Sequence, residues 1–259
     1  MMERESFVYR TLVTGETVAL LPHDKSLTPC IARDGYWEQW VTDCLRSNLQ
    51  SGDIFFDLGA NIGYYSSLAA TIVAHGGRVV SLEPNPKVFQ ALLETRRLHA
   101  IEFENWSAYQ NALGDATGDD VFLTIPEDFT GSASTVVGEF EDYATEQVKV
   151  STLSLHTLVL IAGIPNLIKM DIEGAEPKAF RELCNLAQYG VTKVIMEYNP
   201  SMWQKGGKRV FENEVLTLYD LHLIQYDGRL RKVDVQELDT MVENLGHHLD
   251  IMLLPKSGD

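Results

Sequence analysis

The sequence has little positive charge: 21 Lys and Arg residues face 37 Asp and Glu, which gives a formal net charge of −16 over 259 residues. Proteins that bind a phosphate backbone cluster their cations on one surface. No run of five positive residues occurs here, so we expect no nucleic-acid partner.

Long apolar runs and cysteines are also scarce. No apolar run approaches the ~20 residues of a membrane-spanning helix, so we expect no contact with a membrane. The charged start at Glu3, Arg4 and Glu5 does not fit a signal peptide. Three widely spaced cysteines without metal-type spacing indicate reduced thiols, and together these features predict a cytoplasmic protein.

What the sequence does contain is typical of a globular α/β protein. Hydrophobic residues make up 45% of it, and its length suffices for one large domain. Short apolar runs alternate with stretches of helical spacing, as in βα units. We predict an N-terminal extension over residues 1–34, with a strand hairpin that turns at Gly15 and lies against the main sheet. Residues 35–259 are predicted to form a single globular domain.

A turn with two glycines follows the first buried strand and is the central motif of the chain. Ile54, Phe55 and Phe56 favour a strand, and an acid ends it. Ligands of open α/β sheets bind at the carboxyl ends of strands, and small residues let a ligand approach the backbone closely. The candidate cofactor-binding residues of this turn are Asp57, Gly59, Ala60, Asn61, Gly63 and Tyr64.

A second acid, Glu83, ends the next predicted strand, Arg78–Leu82. In nicotinamide and S-adenosylmethionine sites alike, an acid at this place accepts hydrogen bonds from both ribose hydroxyls. Asp57 would repel a pyrophosphate, and Asn61 stands where a dinucleotide motif has its middle glycine. The turn therefore favours S-adenosylmethionine. Pro84 and Asn85 complete this part of the predicted cofactor site.

The third predicted strand ends in Asn111 and Ala112. Their position suits the apolar slot and the polar contact that an adenine needs, although a plain turn explains them equally well. This strand and the two after it are predicted over Trp106–Ala112, Val121–Ile125 and Gln147–Leu153. The small residues Gly131–Thr135 form either a mobile wall over the site or a surface loop.

Carboxylates gather at the tips of two further strands. Asp171 and Glu173 follow the apolar strand Asn166–Met170, and Glu197 ends the strand Val191–Met196. Like charges this close raise one another's pKa, which suits a general base at neutral pH. These three acids are the candidates for chemistry.

Two other acids are not counted among the candidate site residues. Glu176 precedes Pro177, a residue that suits the first turn of a helix, and is interpreted as a charge at the helix end. Glu38 lies in the first turn of a helix that begins near Trp37. It could face the site from there, but a solvated side chain is the favoured interpretation.

Four ordered motifs resemble those of the FkbM family of S-adenosylmethionine-dependent methyltransferases, and the likeness covers roughly Gly35–Leu254. The motifs are Asp57–Gly63, Glu83–Pro86, Asn111–Gly114 and Lys169–Glu176. The resemblance implies a Rossmann-like class I α/β fold, with helices on both faces of a seven-stranded, mostly parallel sheet. His248–Leu254 would be its one antiparallel strand. The family often carries an acid where this chain has Ser154, and the role of that acid is not carried over.

The resemblance also implies methyl transfer from S-adenosylmethionine, which leaves S-adenosylhomocysteine, to a hydroxyl oxygen of a small molecule. The implied acceptor is a sugar or a natural-product intermediate of secondary metabolism. A base must take the hydroxyl proton, and Asp171, Glu173 and Glu197 are the candidate catalytic residues, with Asp171 also counted in the cofactor site. Mg²⁺ bound by Asp171, Glu197 and Asn199 is a less favoured alternative. A homodimer is left open.

Two other classes of protein remain as alternatives. A nicotinamide-dependent oxidoreductase would need a pyrophosphate at the first turn, which Asp57 opposes. A non-catalytic module that only binds S-adenosylmethionine would carry the same cofactor residues. Binding of S-adenosylhomocysteine against NAD tests the first class, and turnover on a hydroxylated acceptor tests the second.

Overall fold

Strands alternate with helices along most of the chain in the computed structural model, which describes residues 6–74, 76–99, 105–126, 133–135 and 145–256. The strands are β1 (Val8–Thr11), β2 (Thr17–Leu20), β3 (Ile54–Leu58), β4 (Arg78–Leu82), β5 (Trp106–Tyr109), β6 (Ala112–Leu113), β7 (Asp120–Pro126), β8 (Thr145–Leu153), β9 (Leu167–Met170), β10 (Lys193–Tyr198), β11 (Tyr219–Ile224), β12 (Leu230–Lys232) and β13 (Leu249–Pro255). The helices are α1 (Leu27–Asp34), α2 (Gln39–Asn48), α3 (Tyr64–Val73), α4 (Pro86–His99), α5 (Leu155–Ala162), α6 (Pro177–Ala187), α7 (Gly207–Val210), α8 (Leu216–Leu218) and α9 (Val235–Leu245). A π-helical turn, Phe211–Val215, joins α7 to α8. Within the described ranges, no helix has the length and apolar character needed to cross a membrane.

The main sheet confirms the predicted α/β class. Its strand order in the described part of the chain is β12-β11-β13-β10-β9-β3-β4-β5. β13 runs antiparallel to both β10 and β11, so the predicted reversed strand is confirmed. The sheet has eight strands rather than seven, because the chain turns at Asp227 and Gly228 and lets the short β12 pair back on β11.

Helices cover both faces of the sheet, as predicted. Adjacent residues of a strand point to opposite faces, and Phe55 and Phe56 accordingly belong to two different apolar clusters. The cluster around Phe55 includes Leu68 of α3, and the cluster around Phe56 includes Phe180 of α6. Both phenylalanines are fully buried, so the central strand has no polar face.

The predicted third strand is wrong at its carboxyl end. The main sheet keeps only β5, and the following β6 pairs with β8 in a separate sheet of order β6-β8-β7. The Asn111 amide explains the change of sheet, since it donates to the Ser151 carbonyl at 3.1 Å and to its hydroxyl at 2.8 Å. The predicted pair of strands over Val121–Ile125 and Gln147–Leu153 is confirmed as the β7–β8 hairpin.

Ser154, where the resembling family often has an acid, begins α5. Its hydroxyl accepts a hydrogen bond from the backbone N–H of Thr157 at 3.2 Å. Serine and aspartate both cap a helix in this way, so this chain keeps the cap without the charge.

The N-terminal hairpin forms with its turn at Gly15, but it packs on a helix rather than on the main sheet. Register partners in β1 and β2 are antiparallel, and Val18 and Leu20 are buried against the helices. The backbone N–H of Ala19 donates to the hydroxyl of Thr95 in α4 at 3.0 Å. Among the described hydrogen bonds, this is the one fully buried bond between the hairpin and α4.

We expect Thr95→Val to lower the free energy of unfolding by about 1–3 kcal/mol, because it keeps the shape but leaves the buried Ala19 N–H without its acceptor. Thr71→Val in α3 is the matched control, since the Thr71 hydroxyl donates to a carbonyl of its own helix at 3.2 Å. Urea denaturation measures both variants. Equal losses would contradict a specific role for the Ala19–Thr95 bond.

Candidate active site

A cleft that is partly open to solvent lies at the carboxyl ends of β3, β4 and β9. This is the edge where open α/β sheets bind ligands. The predicted site residues that line the cleft are Gly59, Asn61, Glu83, Pro84, Asn111, Ala112, Asp171 and Glu173.

The Glu83 carboxylate is fixed at the cleft by two backbone N–H groups. Oε2 accepts from Asn61 at 2.9 Å and Oε1 from Asn85 at 2.8 Å. A carboxylate can accept about four hydrogen bonds, so each oxygen keeps room for one hydroxyl of a ribose. Burial raises the pKa of Glu83 to about 7, against the lowering effect of the two N–H groups.

Two asparagines shape the backbone around Glu83. Asn61 has φ 51°, a left-handed conformation that asparagine tolerates better than most residues. Asn85 is fully buried, and its side-chain oxygen accepts from the Lys87 N–H at 3.0 Å at the start of α4. Asn61 thus borders the cleft, whereas the Asn85 side chain caps the start of α4.

The two glycines of the central turn are required by packing. A Cβ on Gly59 would lie 1.8 Å from the carbonyl oxygen of Asp171, and Gly59 has φ 81°. A Cβ on Gly63 would lie 2.7 Å from the Leu92 side chain of α4. Gly59 therefore lets the β3 and β9 loops touch, and Gly63 lets α3 approach α4.

Three predicted cofactor residues lie behind the wall of the cleft. Asp57 is fully buried and accepts from the Ser66 hydroxyl at 2.5 Å through Oδ2, while Oδ1 has no hydrogen-bond partner among the described residues. Burial raises the pKa of Asp57 to about 6. Ala60 is part of the apolar core, and the Tyr64 hydroxyl lies 3.1 Å from that of Thr42.

A short segment at residues 133–135 forms one wall of the cleft. Ser134 pairs with Thr124 of β7, and its hydroxyl donates to the Glu173 carbonyl at 2.6 Å. Ala133 and Leu123 give this wall an apolar surface, which suits an adenine. Gly131 and Ser132, predicted with this segment, lie outside the described residues.

Beside the cleft, a buried ammonium is surrounded by acids. Lys169 sits in β9 with a side chain 7% exposed, and its Nζ donates to Asp171 Oδ2 at 2.8 Å. Nζ also lies 4.9 Å from the ring centre of Tyr65. Burial alone would lower the pKa of Lys169, but the carboxylates of Asp171, Asp57 and Glu38 more than offset this and leave it raised.

The three acids of the turn after β9 have different surroundings: two line the cleft, and the third is buried. Asp171 lines the cleft and is paired with Lys169, while Glu173 lines the cleft from a left-handed backbone with φ 51°. The interpretation of Glu176 as a simple charge at a helix end is wrong. It is 2% exposed, its carboxylate accepts the Ile172 N–H at 3.1 Å, and burial raises its pKa to about 7.

Glu197 lies next to the cleft in contact with a histidine. His248 Nε2 is 3.2 Å from Glu197 Oε1, and each of Glu38, Glu197 and His248 offers a ligand atom within 4.8 Å of the others. Burial, then Asp171, Glu173 and Asp250, raise the pKa of Glu197 well above its usual range.

Sequence reasoning missed several residues of this acid cluster. Glu38 is not solvated: it accepts from the Tyr65 hydroxyl at 2.7 Å, and burial raises its pKa to about 7. A lysine inside a strand buried on both faces needs a charged partner, which is the signal that would have identified Lys169. His248 and Asp250 give no such signal, because only the pairing of β13 with β10 brings them to Glu197.

The sheet with its reversed strand and the cleft at its carboxyl edge define a Rossmann-like class I methyltransferase fold. The Methyltransferase FkbM domain matches residues 57–250, and the chain belongs to this family. It is 28% identical over 169 residues to the hexuronic acid methyltransferase AglP of Haloferax volcanii. That match covers 64% of this chain and 64% of the relative, so the chain spans less than two thirds of the relative's length.

Solved structures resemble the chain at low sequence identity. The methyltransferase FkbM of Methylobacillus flagellatus is 16% identical with a TM-score of 0.48, and the match covers 78% of this chain and 43% of that one. Aeropyrum pernix fibrillarin, solved with natively bound S-adenosyl-L-methionine, is 13% identical with a TM-score of 0.44, over 83% of this chain and 74% of that one.

The contact between Gly59 and Asp171 predicts a defect in folding rather than in binding alone. Gly59→Ala should cost about 3–5 kcal/mol of unfolding free energy, because overpacking against a backbone carbonyl adds to the strain of a positive φ. Gly118→Ala is the matched control: it has φ 91° but no atom within 4 Å of the added Cβ. The control should cost only about 1–2 kcal/mol, and thermal unfolding compares the two. A fully stable Gly59→Ala protein would contradict the packing argument.

Proposed function

We propose that the protein is an S-adenosylmethionine-dependent O-methyltransferase that acts on a hydroxyl group of a sugar, and more specifically of a sugar acid. The observation that carries this proposal is Glu83, held by two N–H groups at the tip of the second strand with capacity left for a ribose. Membership of the FkbM family and the likeness to a hexuronic acid methyltransferase support the reaction and the acceptor class.

The charge of the cleft supports the cofactor. The charged side chains among the described residues that line it are all acids: Glu83, Asp171 and Glu173. Such a surface attracts the positive sulfonium and amino groups of S-adenosylmethionine, and it repels the pyrophosphate of a nicotinamide dinucleotide. When bound, S-adenosylmethionine supplies the methyl group, and the sulfur keeps the electron pair of the broken bond. Glu83 would hold the ribose, and Leu123 with Ala133 would cover the adenine.

Glu197 and His248 are better placed than Asp171 to receive the hydroxyl proton. Asp171 already accepts the Lys169 ammonium at 2.8 Å, and this ion pair fixes its orientation. Burial and the neighbouring acids raise the pKa of Glu197, and Glu197 contacts His248, so this pair is placed to accept a proton. Asp171 would then position the methionine part of the cofactor, and Glu173 would border the acceptor. In this proposal, all three candidate acids, Asp171, Glu173 and Glu197, act within the acid cluster around Lys169.

A divalent cation is the alternative to a proton-accepting pair. Glu38, Glu197 and His248 present two carboxylates and one imidazole, a donor set that transition metals accept more readily than Mg²⁺ does. A metal held there would lower the pKa of the acceptor hydroxyl in place of a base. Mg²⁺ on Asp171, Glu197 and Asn199 is less well supported, since the Asn199 side chain accepts from Ser201 at 2.6 Å.

Glu83→Gln should weaken the binding of S-adenosylhomocysteine by about 1.5–3 kcal/mol, or roughly 10- to 150-fold, because it removes the charge from a bond to the ribose. For the wild type, affinity should fall as the pH drops through about 7, where the buried Glu83 gains a proton. The variant should lose that part of the pH dependence. Calorimetry over a pH series measures both effects, and an unchanged dissociation constant would refute the ribose assignment.

The variant Glu197→Gln, together with a chelator, distinguishes a role of Glu197 as a base from a role as a metal ligand. A base role predicts that turnover falls about 10²- to 10⁴-fold while cofactor affinity stays constant, and that a chelator leaves the wild type active. Wild-type turnover should then rise with pH through the raised pKa of Glu197, because only the ionised carboxylate takes a proton. A metal role predicts that the chelator inactivates the wild type and that an added divalent cation restores it. Glu214→Gln, on the exposed π-helical turn, is the control.

The proposed reaction itself is tested with S-adenosylmethionine labelled on the methyl group. Hexuronic acids, neutral hexoses and their methyl glycosides serve as acceptors, and mass spectrometry locates the new methyl group. Transfer to a hydroxyl oxygen of a sugar acid is the expected result. Cofactor binding without transfer to any of these acceptors would favour a non-catalytic module instead.

A further inference from the structure

A second cleft lies on the other side of the acid cluster. It is partly open to solvent and lies at the carboxyl end of β11 and the start of β13. Its lining includes Trp40, Tyr226, Arg231, His247, His248 and Asp250. In the described part of the chain, the two clefts share no lining residue.

Aromatic rings form one wall of this second cleft. The ring centres of Trp40 and Tyr226 are 5.0 Å apart with an angle of 83° between their planes. Trp40 is held in place because its Nε1 donates to Asp250 Oδ2 at 2.7 Å. Tyr226 is 76% exposed, although it sits in a tight turn between two strands. A fixed indole beside an exposed phenol offers an apolar surface with polar edges, which suits the face of a sugar ring.

The second cleft differs from the cofactor cleft in carrying a cation. Arg231 lines it, whereas the charged residues of the cofactor cleft are all acids. Asp227 and Asp250 also line the second cleft, but Asp227 is paired with Arg229 at 2.5 Å and Asp250 accepts the Trp40 N–H at 2.7 Å. Arg231 Nη1 pairs with Glu237 at 2.5 Å and Nη2 lies 3.7 Å from Met241 Sδ, but a guanidinium has five N–H donors and keeps others for a ligand. An anionic group of a ligand in this cleft would therefore meet Arg231.

The acid cluster connects the two clefts. Asp171 lines the cofactor cleft and directly follows β9, whose Met170 pairs in register with Met196 of β10, next to Glu197. Glu197 contacts His248 at 3.2 Å, and His248 lines the second cleft. For methyl transfer, a hydroxyl of the bound sugar must therefore reach past His248 and Glu197 to the cofactor side.

We infer that the second cleft is the acceptor site, and that it binds a hydroxylated sugar ring bearing a carboxylate. This inference rests on the proposed function and adds the place and the recognition of the acceptor. The ring lies against Trp40 and Tyr226, and the carboxylate meets Arg231. The hydroxyl oxygen attacks the methyl carbon as the carbon–sulfur bond breaks, the sulfur keeps the electron pair, and the hydroxyl proton passes to His248 or Glu197.

The experiment measures sugar binding directly, without requiring turnover. Methyl glucuronide and methyl glucoside are titrated by ligand-observed NMR into the wild type saturated with S-adenosylhomocysteine. We expect the glucuronide to bind about tenfold more tightly than the glucoside, because only it offers a charge-assisted bond to Arg231. Equal affinities, or no binding of either sugar, would overturn the inference.

Two variants with matched controls test separately the contact of the sugar ring with Tyr226 and the contact of the carboxylate with Arg231. Tyr226→Ala should weaken both sugars about tenfold, whereas Tyr189→Ala, at an exposed tyrosine outside the cleft lining, should change neither. Arg231→Gln should remove the preference for the glucuronide, whereas Arg181→Gln, at an exposed arginine of α6 outside the lining, should keep it. Unchanged binding in Tyr226→Ala or an unchanged preference in Arg231→Gln would place the acceptor elsewhere.

Turnover of the same sugars distinguishes this inference from the proposed function. Turnover with an unaltered KM in Tyr226→Ala would refute the second cleft as acceptor site and leave the reaction standing. Sugar binding that is lost in Tyr226→Ala, without methyl transfer in the wild type, would refute the proposed reaction and keep the site. The expected result is transfer to the glucuronide with a KM raised about tenfold in Tyr226→Ala and a kcat changed much less.

Discussion

The ion pair between Lys169 and Asp171 is the interaction on which the site depends. A buried ammonium is costly unless carboxylates surround it, and breaking such a pair typically costs about 3–5 kcal/mol. Lys169 is 6% exposed, and its charge acts on Asp57 from β3, on Glu38 before α2 and on Asp171. One side chain thus holds together acids that come from separate parts of the chain.

The strand register explains why these groups meet. Lys169 pairs with Asp57 of β3, and Glu197 of β10 pairs with Asp250 of β13. Side chains of register partners leave a sheet on the same face, and period-two alternation puts Lys169 and Asp171 on one face as well. The acids therefore line up across the sheet at its carboxyl edge, between the cleft at β3, β4 and β9 and the cleft at β11 and β13.

The same register marks the limit of what the sequence could predict. Local patterns identified the α/β class and most of the residues around Glu83, because each of these signals lies within one βα unit. The reversal of the strand near the end of the chain was implied only by the family resemblance. Local patterns could not identify His248 or Trp40, since these reach Glu197 and Asp250 only through strand pairing and helix packing. They also assigned Gly59 to the ligand, although the nearest contact of an added Cβ is the Asp171 carbonyl. A short motif shows that a turn is tight, but it does not show which atoms leave no room for a side chain there.

The site reduces the stability of the fold near neutral pH. Burial raises the pKa of Asp57 to about 6 and that of Glu38, Glu83 and Glu176 to about 7, above the values of these groups in an unfolded chain. The folded protein then holds protons that the unfolded chain has released. The stability these groups contribute is fully present below about pH 4 and is lost as the pH rises through 6 to 7. Apolar residues at these positions would not carry this cost, so the acids fit the proposed binding of a cationic cofactor better than a purely structural role.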